Sequence, residues 1–508
     1  MTSATSEHAD AAAPPSSDQR ALPELARAPV FSAMVSLAVV LTAFSDRYGY
    51  HRDELYFRML KPAWGYVDEP PLTPILARVF TRVIADQPWA LRIPATLATV
   101  ASIFVVVLIT REVGGGRRAQ TLCAWAYAFA SLPLVMGHVL LTASLDLLVW
   151  PLILLLVIRA QARQEQRWWL VAGAVVGLSM YNKLLIAVLL VAIVAGLALV
   201  GPRSTFRSRW IVGAAALALV VGSPNIVYQA THHWPQLSMG RALADHNAGS
   251  VHIQMWPFLL LMLGPPLVPI WIAGTVSLFR RPEWRPLRFL AAALPVLLVL
   301  VFIMGSQIYY PFGLVAVLFA IGCVPTERWM AVSRPRRGVV TAGVALNAAV
   351  SLVIGLPLIP VSSLGNTPVP GINQIAQDSV GWPAYVREVA GVYATVPQAE
   401  RAQTVIIASN YGEAGAVDRY GGAYGLPAVY SGQNQLYYEG RPPSSASVVV
   451  FVGGAFSRLR SQFASCAIVT HLDNLVDVDN EEQDQPVAIC RRPIGGWLAA
   501  WPAFKHED

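Results

Sequence analysis

Between residues 29 and 360 the chain is a succession of apolar stretches separated by polar segments, most of them short and the longest 46–93. The apolar stretches run near 29–45, 94–111, 119–136, 140–158, 168–182, 184–201, 210–228, 254–279, 287–305, 308–324 and 338–360. Each lies near the roughly 20 residues that an α-helix needs to cross a bilayer. The pattern predicts a polytopic α-helical membrane protein of about eleven transmembrane helices, with ten to thirteen allowed because tandem segments such as 168–201 merge easily. After residue 365 the rhythm changes. Short β-like runs at Val405-Ile406-Ile407, 448–452, 467–469 and 487–489 alternate with polar turns and with helical stretches near 380–395 and 456–464. The expectation is a small soluble α/β domain over 365–508, preceded by a membrane domain over 29–360 and a polar, disordered tail over 1–28.

Composition supports the membrane reading. Of 508 residues 55% are hydrophobic and only 13% charged, against about 25% charged in soluble domains. The net charge of +7 belongs to topology and carries no sign of nucleic-acid binding. Arg clusters follow the second (Arg111, Arg117, Arg118), fourth (Arg159, Arg163, Arg167), sixth (Arg203, Arg207, Arg209), eighth (Arg280, Arg281, Arg285, Arg288) and tenth stretches (Arg328, Arg334, Arg336, Arg337). By the positive-inside rule these faces are cytoplasmic. The N-terminus is then inside, and residues 46–93 and the C-terminal domain lie outside a cytoplasmic membrane. Cys123 and Cys323 read as buried apolar side chains. Cys466 and Cys490, in the outer region, are suited either to a disulfide or to free thiols.

The chemistry concentrates in one place. Asp46, Asp53, Glu54, Asp68, Glu69 and Asp86 all fall in the first outer loop, where carboxylates orient something, do chemistry or simply cap helices and pair with Arg47, Arg52 and Arg58. Asp53-Glu54 begins a short helix, and Pro70-Pro71 ends the run after Asp68-Glu69. Asp146, at the outer end of the fourth stretch, faces a polar cavity or serves as a helix N-terminal acid. Lys183 is the only Lys between residues 62 and 504; it is an interfacial anchor or a point charge for a phosphate. His232, His233 and His246 share one outer loop and suit either solvent or a divalent ion joined by Asp68. Gly421-Gly422 and Gly453-Gly454 lack nucleotide-binding spacing, so no nucleotide cofactor is expected.

Asp53-Glu54, Asp68-Glu69-Pro70-Pro71-Leu72, the stretch holding Asp146, Tyr181-Asn182-Lys183 and Gln307-Ile308-Tyr309-Tyr310-Pro311 together resemble glycosyltransferase family 39. That family holds the protein O-mannosyltransferases and the bacterial aminoarabinose transferases of the GT-C fold, and the resemblance covers about residues 30–360. It implies an inverting glycosyltransferase that moves a sugar from a polyprenyl-phosphate donor to a hydroxyl on a lipid, a cell-wall glycan or a protein. It implies Asp53 and Asp146 as the catalytic acids. Glu54, Arg52, Arg92, Lys183, Tyr309 and Tyr310 become candidate substrate contacts, and Asp68, His232 and His233 candidate ligands of a divalent metal. Glu69 and Gln307 depart from the pattern, standing where relatives carry a basic residue, which leaves the mode of phosphate binding open and makes Lys183, Arg52 and Arg92 the candidates for the missing charge. A flippase of lipid-linked sugars is the main rival. It calls for paired repeats with broken helices at mid-membrane, and no internal repeat is visible. A scaffold binding envelope glycan is a further rival.

Overall fold

The structure, a computed structural model, describes residues 22–507, without the side chains at 246 and 247. Residues 1–21 of the expected tail lie outside the described residues, and its last two residues, Arg27 and Ala28, already belong to the first helix.

The membrane part runs through α1 (Arg27–Phe44), α2 (Arg52–Met59), α3 (Leu72–Val83), α4 (Pro88–Leu91), α5 (Ile93–Glu112), α6 (Arg117–Ala128), α7 (Ser131–Gly137) and α8 (Thr142–Ala162). It continues with α9 (Arg167–Ser179), α10 (Ile186–Val200), α11 (Arg209–Thr231), α12 (Pro235–Leu261), α13 (Val268–Arg280), α14 (Arg288–Met304), α15 (Phe312–Ala331) and α16 (Arg334–Gly355). Among the described residues seven helices are long and apolar enough to cross a bilayer, or nine if each bent pair counts once. The bent pairs are α6 with α7, at 52°, and the end of α12 with α13, at 68°. At 13 and 15 residues, α9 and α10 measure only about 20–23 Å, short of a hydrocarbon core of about 30 Å.

Burial separates the centre of the bundle from its lipid-facing rim. The apolar windows of α5, α8 and α15 are 61%, 67% and 61% buried, whereas that of α16 is 17% buried. The three central helices share one cluster with α1, α6 and α14. Without a hydrophobic drive between helices in lipid, close approach depends on small residues. At the crossing of α13 and α15, a Cβ on Gly274 or Gly322 would collide with the facing backbone. At the end far from residues 46–93, buried Glu112 accepts from Arg159 at 2.8 Å and Arg163 at 2.9 Å. The basic clusters thus collect on the face opposite the acidic loop.

Short turns α17 (Val361–Leu364), α18 (Val369–Ile372) and α19 (Gln374–Gln377) lead to α20 (Trp382–Ala394), and α21 (Tyr411–Tyr420) follows the first strand. The sheet comprises β1 (Thr404–Ala408), β2 (Val429–Ser431), β3 (Val448–Val452), β4 (Phe463–His471) and β5 (Pro486–Pro493), in the order β2-β1-β3-β5-β4. The first three are parallel; β5 runs antiparallel to both β3 and β4. Cys466 and Cys490 pair directly across β4 and β5 and are disulfide-bonded, while Cys123 and Cys323 are buried and free. The helix expected over 456–464 is cut short. Only Phe456–Leu459 is α-helical, because Phe463 already pairs with Pro493. The outer loop does not stand apart from this region: Leu55 and Tyr56 of α2 share a core with Trp382 and Val386 of α20 and Ala414 of α21.

Candidate active site

Helix α2 opens with a capping box: His51 accepts from the Asp53 backbone N–H, and Glu54 accepts from the His51 N–H at 2.9 Å. This fixes the first turn and sends its two acids in different directions. Glu54 is buried and accepts from Arg92 at 2.9 and 2.8 Å and from the Leu140 N–H at 2.9 Å. The Arg92 guanidinium also donates to the Ser45 and Gly49 carbonyls. Both were expected at the substrate; both are instead spent inside the fold, as an internal pair that ties α2 to α5 and to the loop before α8.

Asp53 points away from that pair, half-exposed, and accepts from the Tyr411 hydroxyl at 2.9 Å. Tyr411 is the first residue of α21, whose own capping box joins Asn410 and Glu413. Two helix N-termini therefore meet at the carboxylate, a favourable place for negative charge. Arg52 lies 4.8 Å over the Tyr411 ring and pairs with Glu481. It holds Tyr411 in place and is not a free cation awaiting a phosphate. Burial pushes the Asp378 carboxyl nearby up to about 7, against the opposing charge of Arg52.

Asp68 and Glu69 precede Pro70-Pro71 and the start of α3. Burial pushes Asp68 up to about 6, against an opposing hydrogen bond from Tyr56, and the charge of Asp53 adds to the rise. Burial raises Glu69 well above the carboxylate range, helped by Asp68 and Asp53 and opposed by Lys183. Asp68 Oδ1 and Glu69 Oε1 are buried with no hydrogen-bond partner among the described residues.

The turn between α9 and α10 docks on this group. The Leu72 N–H donates to the Tyr181 carbonyl at 2.9 Å, and Thr73 donates to Asn182 Oδ1 at 2.9 Å. Asn182 Nδ2 reaches the Thr142 carbonyl at 2.9 Å and Asp146 Oδ1 at 3.1 Å. Lys183 Nζ sits 4.8 Å from the Tyr310 ring, 5.8 Å from that of Tyr309 and 3.4 Å from Thr142 Oγ1. A cavity lined by Asp146, Trp150, Tyr309, Tyr310 and apolar side chains including Leu147 opens beside them. Burial raises the Tyr309 hydroxyl, and the charges of both Asp146 and Asp53 contribute. Asp53, Asp68, Glu69, Lys183, Asp146 and the two tyrosines thus form one electrostatic neighbourhood.

The expected metal set does not assemble. His232 and His233 are exposed, and His232 stacks on Tyr228 at 4.1 Å and contacts the Tyr228 carbonyl. His246 lies outside the described side chains. Among the described residues no three His, Cys, Asp or Glu side chains are grouped to hold a metal ion. Conversely, Tyr411 and Asn182 were given no role from sequence. Asn410-Tyr411-Gly412-Glu413 carries a capping-box signal, but nothing in it points to a loop 358 residues away.

A family model for dolichyl-phosphate-mannose-protein mannosyltransferases matches residues 68–228. No curated protein matches the chain significantly. Among solved structures, ArnT from Cupriavidus metallidurans in its apo state superposes with a TM-score of 0.60 at 13% identity, covering 91% of this chain and 97% of that one. ArnT bound to undecaprenyl phosphate gives 0.58 at 15% identity over the same shares. The fold is GT-C. Arabinofuranosyltransferase AftD from Mycobacteria gives a TM-score of 0.53 at 13% identity, covering 93% of this chain and 40% of that longer protein. The multi-pass membrane assignment follows from the GT-C fold together with the apolar helices. The segment matched by the family model begins at Asp68 and takes in Asp146, Asn182 and Lys183.

Proposed function

We propose that the protein is an inverting glycosyltransferase that uses a polyprenyl-phosphate sugar at the outer face of a cytoplasmic membrane. The observation that carries the reading is the Asp53 carboxylate, half-exposed and held by the Tyr411 hydroxyl at 2.9 Å, beside the cluster of Asp68, Glu69 and Lys183. The family model over residues 68–228 and the undecaprenyl phosphate bound by ArnT support the donor class.

In the reaction Asp53 accepts the proton of an acceptor hydroxyl as its oxygen bonds to the anomeric carbon. The bond from that carbon to the phosphate oxygen breaks on the opposite face, and the phosphate departs with the electron pair. A positioned general base contributes about 10²–10⁴-fold. Lys183, held over Tyr310, offers a point charge for the leaving phosphate. The cavity beside Asp146 and Tyr309, only about 30 Å³, gives that charge an apolar wall and is too small to seat the lipid chain itself. Asn182 fixes Asp146, which acts through this anchorage on the floor of the site.

Mass spectrometry of lipid co-purified with the protein from its native membrane tests the donor. A polyprenyl monophosphate, free or sugar-linked, is expected. Recovery of bulk phospholipid alone, with added polyprenyl phosphate failing to shift the melting temperature, would overturn the assignment.

A further inference from the structure

Strands β1, β2 and β3 contain a point where connectivity reverses. β1 is hydrogen-bonded to β2 on one side and to β3 on the other, and the chain leaves β1 through α21 towards β2 but leaves β3 towards β4 and β5. In open sheets with parallel strands, ligands bind outside the carboxyl ends of the strands at such a reversal. Here that place is a polar cavity of about 310 Å³, at the lower end of the usual size for small-molecule sites. Ser409 and Asn410, directly after β1, and Gly454 and Ala455, just beyond the end of β3, line it together with Arg458, Glu481, Gln485 and His506.

The lining restricts what fits. A phosphate at the α21 N-terminus is disfavoured, because Glu413 already occupies it: its Oε2 accepts from the Ser409 and Asn410 N–H groups at 2.8 and 3.1 Å. Gly453, at φ 100°, allows this carboxylate to press against the turn after β3, where a Cβ would strike both of its oxygens. An apolar ligand is disfavoured, since Gly454 and Ala455 are the only lining residues without a polar side chain. Amide, carboxylate and guanidinium groups around one cavity combine donors and acceptors suited to adjacent hydroxyls. The side-chain amide of Gln485 makes no hydrogen bond among the described residues, and Arg458 makes one long contact, 3.4 Å to the Ala503 carbonyl. Both have unspent capacity.

A chain of side-chain contacts links the cavity wall to Asp53. Glu481 on that wall pairs with Arg52, Arg52 covers the Tyr411 ring, and Tyr411 holds Asp53. We infer that this crevice is the acceptor-recognition site and that it takes a neutral, hydroxyl-rich saccharide, one of whose outer sugars sits between Gln485 and Arg458 while a neighbouring sugar presents its hydroxyl to Asp53. The inference rests on the proposed glycosyl transfer and narrows its acceptor to a glycan longer than one sugar.

Saturation-transfer NMR and calorimetry on the full chain in lipid nanodiscs test it, with neutral tri- and tetrasaccharides of pyranose and furanose sugars as probes. At least one probe is expected to bind, to bind tenfold or more weakly to Gln485→Ala and to Arg458→Ala at unchanged melting temperature, to bind Asp53→Asn normally, and to resist inorganic phosphate. Absence of binding, binding indifferent to both substitutions, or displacement by phosphate would overturn the inference. Sugar transfer surviving in Asp53→Asn would instead defeat the proposed reaction while leaving the binding result as it stands.

Discussion

Along α2 successive side chains turn by about 100°, so Asp53 and Glu54, adjacent in sequence, reach different environments. Glu54 is enclosed with Arg92, and removing one partner of a buried pair leaves an uncompensated charge costing about 3–5 kcal/mol. Glu54→Ala is therefore expected to lower the unfolding midpoint sharply, while Asp53→Asn leaves it nearly unchanged; thermal unfolding in detergent checks both. The pair was unreadable from sequence, because 38 residues separate its members and each alone resembles a substrate contact. Asp53 was singled out by the resemblance of the loop motifs, since an acid in the first turn of a helix also has a purely structural use. A second expectation concerns pH. Asp378 titrates at about 7 in the fold and near 3.8 when unfolded, so the native state binds more protons between these values. Stability then falls as pH rises from about 4 to 7. Asp378→Asn should flatten that part of the stability profile and raise the melting temperature at pH 8; an unaltered profile would refute the assignment.

Among elements, β1, β3, β4 and β5 were visible as short runs of Val, Ile and Ala, whereas β2, three residues between Pro427-Ala428 and Gly432, was too brief to register. The stretch 456–464 has helical character, yet strand pairing with β5 takes its end. Tertiary contacts override local propensity there. The bends after α6 and before α13 divide apolar stretches that look continuous, Gly264 adopting φ 102° at the second. The disulfide holds the edge strand β4 to β5, and Cys490→Ser is expected to destabilise the sheet by about 2–4 kcal/mol, read as earlier proteolysis or unfolding of the C-terminal region. The contact between α2 and α21 yields a sharper prediction. Tyr411→Phe removes the hydroxyl that orients Asp53 but keeps the ring beneath Arg52, so transfer should fall about tenfold, equivalent to about 1.4 kcal/mol, with melting unchanged. Full activity would show that Asp53 needs no such support.

At the level of the whole molecule, the alternation of apolar stretches and Arg clusters made a polytopic helical architecture legible, because lipid leaves few ways to satisfy a backbone; the GT-C reading came from the resemblance of the loop motifs. What the pattern could not convey is that the outer loop and the C-terminal sheet share a hydrophobic core. The acids of one are completed by the tyrosine of the other through a contact spanning 358 positions, and periodicity carries no information about such a pairing. Sugar transfer that depends on Asp53 is what would separate a transferase from a lipid transporter. The most direct measurement is sugar transfer from a polyprenyl-phosphate donor by the purified protein in sealed proteoliposomes, native against Asp53→Asn. Loss of at least a hundredfold in transfer, with unchanged melting and undiminished donor binding, is the predicted result; transfer at the native rate by Asp53→Asn would contradict the account.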